Sequence, residues 1–267
     1  MSIKMFVTDM DGTLLNSAKE VTPENKAAIK EIAAKGIVVT IATGRMYPSA
    51  LPYAKQLDLN VPIITYNGAL IRSADGEDLY TGYIPTEDVK AILAFCFEHK
   101  WHTHLYSHDE LYFCEHTERA KAYEDLSGIK GKIVAQDGLY QHCEAVPKML
   151  VITSGAEESE RVAGILNQKF GEKIFAVRSN PEYVEIVKRG VNKAEAVARL
   201  AEKYDIKPEE VMVIGDSDND LPMMRIAGLS VAMGNANDNV LAYCSKITTD
   251  CEHSGVAEAI KKYILQA

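Results

Sequence analysis

Short apolar runs, each cut off by a polar turn, constrain this chain more than any other feature. Lys4 to Thr8 stops at Asp9, Ile37 to Ile41 at Thr43-Gly44-Arg45, Pro62 to Thr65 at Tyr66-Asn67-Gly68, and Val211 to Gly215 at Asp216. Runs of this length, rich in β-branched residues and lacking polar alternation, read as strands buried on both faces. Helical segments lie between them. Thr22 can cap and Pro23 can open a helix through Ile29, Ile32 and Ala33, which Gly36 ends. A weaker helix, marred by Pro52, reaches about Leu57. Asn192 and Glu195 have capping-box spacing for a helix to about Tyr204. A further helix ends near Ala227, Leu229 to Met233 is another strand, and Ser254 to Leu265 reads as a terminal amphipathic helix. Alternation of this kind predicts an α/β fold with a doubly wound, Rossmann-like parallel sheet. Ligands of such sheets bind at the carboxyl ends of the strands, where every one of these polar turns falls.

The alternation is interrupted. Of the 267 residues, roughly 83–188 hold six of the seven histidines and the only Trp. This stretch reads as two strand–helix–strand units, with helices at Pro85–Lys100 and Glu157–Phe170 and strands at His102–Tyr106, Leu111–Cys114, Lys148–Thr153 and Tyr183–Val187. The expected organisation is therefore a core of residues 1–82 and 189–267 with an inserted α+β domain at 83–188.

Charge and composition narrow the function. Twenty-nine Lys and Arg against 38 Asp and Glu give a formal charge of −9, which argues against nucleic acid or an anionic membrane as the main partner. No run approaches the roughly 18 apolar residues of a bilayer span. Residues Met1 to Asp9 show no signal-peptide core. Five scattered cysteines without a C-x-x-C are neither a disulfide framework nor a zinc site. The expectation is a cytoplasmic protein with reduced thiols, a monomer or small homo-oligomer.

Asp9-Met10-Asp11-Gly12-Thr13 follows the first strand directly. Residues i and i+2 of an extended stretch point the same way, so Asp9 and Asp11 can face one site. Two such carboxylates repel unless a cation lies between them or one is protonated. Asp216-Ser217-Asp218-Asn219-Asp220 supplies more carboxylates after a different strand. Hard oxygen ligands with room for water and substrate suit Mg²⁺. A calcium EF-hand is excluded, because its sixth and twelfth positions counted from Asp216 are Leu221 and Ala227 rather than Gly and Glu.

With Thr43 after the second strand and Lys193 at a helix start, the order Asp9/Asp11, Thr43, Lys193, Asp216/Asp220 resembles the haloacid dehalogenase superfamily. Ala42-Thr43-Gly44-Arg45, Asn67-Gly68-Ala69 and Gly190-Val191-Asn192-Lys193 resemble its Cof-type subfamily with a type IIB cap. The resemblance implies a Mg²⁺-dependent phosphatase acting on a small phosphorylated metabolite, a sugar phosphate or a phosphorylated cofactor. It implies Asp9 as the nucleophile that forms an aspartyl-phosphate and Asp11 as general acid and base. It assigns the metal to Asp9, Asp11 (through its backbone carbonyl) and Asp216, with Asp220 orienting ligands or Lys193 behind them. Phosphate would be held by Met10, Thr43, Gly44, Lys193 and Asn219, with Arg45 and Asn67 facing the substrate pocket. The insert would close over the site and select the leaving group.

Bland readings stand beside these: a helix cap for Asn219, a solvated side chain for Arg45, a turn residue for Asn67. His102, His104 and Tyr106 share one strand face with His108 and His116 nearby, but their spacing is not a zinc pattern, so satisfied or surface histidines are expected. Tyr112, Arg178, Tyr183 and Glu185 are further substrate-contact candidates. Two other functions remain open. A phosphomutase would need a second, strongly basic phosphate site, and Arg119, Arg161 and Arg178 are far apart in sequence. A phospho-acceptor regulator would gain nothing from Asp11.

Overall fold

The run after Lys4 forms β1 (Met5–Thr8), all four residues buried. It is followed by α1 (Pro23–Ala34), whose first turn is closed by the Thr22 side chain accepting the Asn25 N–H. Then come β2 (Val38–Ile41), α2 (Tyr47–Gln56) with Pro52 inside it, β3 (Ile63–Thr65), β4 (Leu70–Arg72) and β5 (Asp78–Thr81). The computed structural model describes residues 2–59 and 61–266; Met1, where the N-terminal reading above began, lies outside them, as do Asn60 and Ala267.

The next stretch is a separate compact unit, Thr81–Val191. It contains α3 (Thr86–Glu98), β6 (His102–Ser107), β7 (Glu110–Phe113), α4 (Glu118–Ser127), β8 (Gly131–Ile133), β9 (Met149–Ile152), α5 (Ala156–Phe170), β10 (Ile174–Asn180) and β11 (Tyr183–Lys188). Its sheet runs β10-β11-β9-β6-β7-β8, with parallel pairing at β7–β8 and antiparallel pairing elsewhere. Leu105, Met149, Val151, Val184 and Ile186 form one core with Ile92 and Leu93 of α3 and Val162 and Leu166 of α5. The four expected strands and two expected helices are present; α4, β8 and β10 are additions.

The chain returns to the first unit, residues up to Tyr80 and from Asn192 on. Here it forms α6 (Lys193–Lys203), β12 (Val211–Gly215), α7 (Leu221–Ile226), β13 (Leu229–Ala232), α8 (Asp238–Tyr243) and α9 (Gly255–Ile260). The terminal helix is shorter than expected, since Ser254 is left-handed and Lys261–Leu265 continues as a π-helical turn.

Strand order in the first unit is β13-β12-β1-β2, parallel throughout. A parallel bridge from Ala42 to Ile64 sets β3 beside β2. Met5, Phe6, Val7, Val213 and Ile214 are fully buried, each contributing about 1.5–3 kcal/mol by leaving water. Thr8 pairs with Ile41 on one side and Ile214 on the other. That register brings the carboxyl ends of β1, β2 and β12 level, with Asp9, Thr43 and Asp216 one or two residues beyond. Among the described residues no helix is long and apolar enough to cross a membrane.

Candidate active site

Asp9 leaves β1 with its backbone N–H still on the Ile214 carbonyl, so the strand ladder itself aims it. Its Oδ1 accepts from Lys193 Nζ at 2.7 Å, and the same ammonium donates to Asp220 Oδ1 at 2.7 Å. Lys193 and Asp220 are fully buried and Asp9 nearly so. Asn192 caps α6 by accepting the Glu195 N–H, which fixes the helix start that presents Lys193. Gly68 allows that start to pack close: at φ +100°, a Cβ there would sit 2.2 Å from the Asn192 carbonyl oxygen. Asp220 Oδ2 accepts the backbone N–H groups of Asp216 and Ser217. Both oxygens of Asp220 are thus engaged, and it anchors the turn and orients Lys193.

Asp9, Asp216 and Asp220 each offer an oxygen within 4.8 Å of the others. No donor among the described residues reaches Oδ2 of Asp9 or Oδ2 of Asp216. Three carboxylates against one ammonium leave surplus negative charge in a buried place. Burial pushes the Asp9 carboxyl well above its ordinary range, further than Lys193 pulls it down, and Asp220 and Asp216 add to the rise. Burial and the Asp220 charge push Asp216 up to about 6. Lys193 shows the converse: burial lowers it, but Asp220 and Asp9 outweigh burial and hold the ammonium on. A hard cation would relieve this repulsion, and the all-oxygen set of Asp9 and Asp216 fits one.

The Asp11 side chain turns elsewhere. Arg45 grips it in two places, Nε to Oδ2 at 2.7 Å and Nη2 to Oδ1 at 2.6 Å, and Lys19 Nζ donates to Oδ1 at 2.9 Å. Burial would raise its pKa, but the two cations outweigh that and hold it down at about 2. Asp9 and Asp11 therefore do not share their side-chain partners, and Arg45 is committed to Asp11 rather than solvated.

Thr43 is buried, its Oγ1 accepting the Arg45 N–H and its carbonyl the Asn67 N–H. Asn67 is left-handed at φ 55° and lies against Gly44, where a Cβ would be 3.1 Å from its Oδ1. Asn219 Nδ2 donates to that same Oδ1 at 3.0 Å. Thus Thr43, Gly44, Asn67 and Asn219 are gathered at one place. Met10 is fully buried, and its carbonyl accepts from Thr13 and Leu15, closing the turn after Asp9.

In the second unit His102 Nε2 and His104 Nε2 lie 3.1 Å apart, and His116 pairs with Glu124. Tyr112 stacks on His142 at 3.8 Å and belongs to the helix-covered core. Arg178 pairs with Glu160 of α5. Glu185 pairs with the buried Lys148, and Tyr183 packs edge-on to Tyr123.

Residues the sequence did not single out also build the site. Thr13 Oγ1 donates to Asp216 Oδ1, and Lys19 reaches Asp11. Asn235 Nδ2 donates to the Gly12 carbonyl, and the Asn237 N–H to the Asp216 carbonyl. Only the Thr in Asp-x-Asp-Gly-Thr carried any local signal; Lys19 lies eight residues from Asp11, and Asn235 and Asn237 act from a loop farther along the chain.

Known proteins resemble this chain along most of its length. A family model described as haloacid dehalogenase-like hydrolase matches residues 6–260. The 5-amino-6-(5-phospho-D-ribitylamino)uracil phosphatase YitU of Bacillus subtilis is 30% identical over 264 residues, 97% of each chain. A haloacid dehalogenase-like hydrolase from Bacteroides thetaiotaomicron superposes with TM-score 0.89 at 30% identity, covering 98% of this chain and 99% of that one. A sugar phosphatase of HAD subclass IIB, BT4131, gives TM-score 0.84 at 26% identity, covering 97% and 98%. The chloroplastic endoribonuclease YBEY of Arabidopsis thaliana is longer: at 27% identity over 266 residues the chain spans 45% of it. With one family model matched along nearly its whole length and with relatives matched nearly end to end, the chain belongs to the haloacid dehalogenase-like hydrolases, in their Cof-type branch.

Proposed function

We propose that this chain is a Mg²⁺-dependent phosphatase that hydrolyses a small phosphate monoester, a sugar phosphate or a phosphorylated cofactor, through an aspartyl-phosphate on Asp9. One observation carries the reading: Asp9, buried with Oδ1 on Lys193 and Oδ2 reached by no donor among the described residues, offers an oxygen within 4.8 Å of oxygens of Asp216 and Asp220. Asp9 and Asp216 would hold Mg²⁺, joined by the Asp11 carbonyl. The ion would shield Asp9 from the phosphate's charge and stabilise the transferring oxygens.

In the first half-reaction an Asp9 carboxylate oxygen bonds to phosphorus while the ester P–O bond breaks, and Asp11 gives its proton to the departing oxygen. In the second, Asp11 takes a proton from water, the water oxygen bonds to phosphorus, and the Asp9–phosphorus bond breaks. Splitting the displacement this way replaces one hard step by two easier ones. Lys193 favours the ionised form of Asp9 against burial and lends its charge to the phosphoryl oxygens. Thr43, Gly44 and Asn219 supply neutral donors, and the Met10 turn holds Asp9 in place. Asp11 cannot donate while Arg45 and Lys19 hold it at about 2, so release from Arg45 belongs to the cycle, and the incoming phosphate competes for that guanidinium. The second unit would select the leaving group.

A mutase reading gains no support from Arg161 and Arg178, whose charges are paired with Glu158 and Glu160. Neither does a phospho-acceptor switch, since Asp11 would hydrolyse the acyl phosphate.

The test is phosphate release from a panel of monoesters with Mg²⁺, including hexose phosphates and the phosphoribitylamino-uracil that names the YitU relative. Turnover should fall at least about 10³-fold in Asp9→Asn. A variant that keeps wild-type turnover, a wild type that releases no phosphate, or isomer interconversion dependent on a bisphosphate would each overturn the proposal.

A further inference from the structure

We propose that Thr13 is a positioning residue for the cation: its hydroxyl holds the Asp216 carboxylate in the one orientation that leaves Oδ2 for the metal. The proposal rests on the metal reading above and adds to it a residue that makes no contact with ion or substrate.

The terminal torsion of an aspartate is broad, so a strand-end position fixes where the carboxylate starts but not how it is turned. The Asp216 main chain is well pinned. Its N–H donates to Asp220 Oδ2 at 2.9 Å, and its carbonyl accepts from Asn237 N at 2.9 Å. Neither bond touches the carboxylate. Thr13 Oγ1, at 2.7 Å from Oδ1, is the one donor among the described residues that does. Thr13 is itself fully buried, so its hydroxyl cannot turn to water, and its single proton is spent on Asp216. Gly12 completes the clamp. At φ +74° its backbone lies flush against the carboxylate, and a Cβ there would come within 2.6 Å of Oδ2. The segment carrying Asp9 thus also orients the other ligand, 203 residues away from Thr13. Valine has the shape of threonine and would satisfy packing alone; only the hydroxyl explains the bond.

Calorimetric titration with Mg²⁺ alone, without substrate, tests this on the wild type, Thr13→Val and Thr13→Ser. Thr13→Val should weaken Mg²⁺ binding by about 10–100-fold, the usual range for partners of metal ligands. Thr13→Ser should restore it to within about 3-fold. In turnover, the half-saturating Mg²⁺ should shift with Thr13→Val while kcat at saturating Mg²⁺ stays near wild type. Wild-type affinity in Thr13→Val overturns the proposal. So does a Thr13→Ser variant as weak as Thr13→Val, which would make the methyl group the functional part. Melting curves without metal establish that each variant folds; should Thr13→Val fail, Thr13→Ala carries the same comparison. A wild type that binds Mg²⁺ in a Thr13-dependent way but hydrolyses no monoester overturns the proposed reaction and leaves this inference standing.

Discussion

Each unit buries one lysine completely, and the two differ in how the charge is balanced. Lys148, in the second unit, pairs with Glu185 Oε1 at 3.0 Å, with its ammonium over the Tyr106 ring. Lys193 faces two carboxylates, Asp9 and Asp220, with Asp216 close behind. Both keep their proton because acidic neighbours outweigh burial. The Lys148–Glu185 contact sets one cation against one anion. Around Lys193 one cation meets a cluster of three carboxylates, and clustered acids whose pKa values are pushed up are a frequent mark of functional sites. Burial and pairing alone would have ranked the two lysines equal.

The contrast is most exposed to substitution at the lysines. Lys193→Met should cost phosphate release about 10²–10³-fold and, without metal, destabilise the fold by about 3–5 kcal/mol through the carboxylates left uncompensated. Lys148→Met should destabilise by a similar about 3–5 kcal/mol, but Lys148→Met/Glu185→Leu should recover most of that loss, because a balanced buried pair is replaceable by apolar groups. Lys193→Met/Asp220→Leu should recover no turnover. Denaturant unfolding and phosphate release decide it, and a first-unit double variant that regains activity would erase the distinction.

Metal addition sharpens the comparison next. Mg²⁺ at about 100 times its dissociation constant should stabilise the protein by about 3 kcal/mol. The effect should be larger at pH 8 than at pH 5, because Asp216 titrates at about 6 and must lose its proton to bind. Thermal melts at the two pH values, with and without Mg²⁺, measure it; equal shifts would mean the ion binds away from the acid cluster.

The smallest effect lies in the second unit. Burial, with a minor push from His102, brings His104 down to about 3 from the ordinary 6.5. The unfolded chain therefore takes up the proton first as pH falls. His104 costs nothing above about 6.5 and loses stability progressively below it, by about 2 kcal/mol at pH 5. His104→Phe should flatten the fall in melting temperature between pH 7 and pH 5; an unchanged slope would assign the acid sensitivity to another group.

What the sequence disclosed follows from where its signals are local. The first unit's strands were legible because they are covered on both faces and stop abruptly, which also exposed Asp9, Thr43 and Asp216 at their ends. β10 was not: Ile174 and Ala176 are buried while Phe175 and Val177 are half-exposed, so apolar residues on both faces erase the alternation. Helix α4, with Ala120, Tyr123 and Glu124 buried, is rich in charge and reads as a charged loop, and β4 and β5 are only three and four residues long. In the site, residue identity gave Asp9, Lys193 and Asp220, but not the Arg45–Asp11 grip or the Thr13–Asp216 bond. Those depend on which of several nearby partners a side chain chooses once the chain is folded.

The near contact between Gly68 and the Asn192 carbonyl has a consequence for heredity as well as for geometry. Alanine at 68 would displace the beginning of α6 and carry the ammonium of residue 193 off its carboxylates, leaving every reacting group present but misplaced. Loss-of-function alleles in such a gene should therefore gather at this hydrogen-for-methyl position as readily as at the acids, although nothing that happens to a substrate ever happens there.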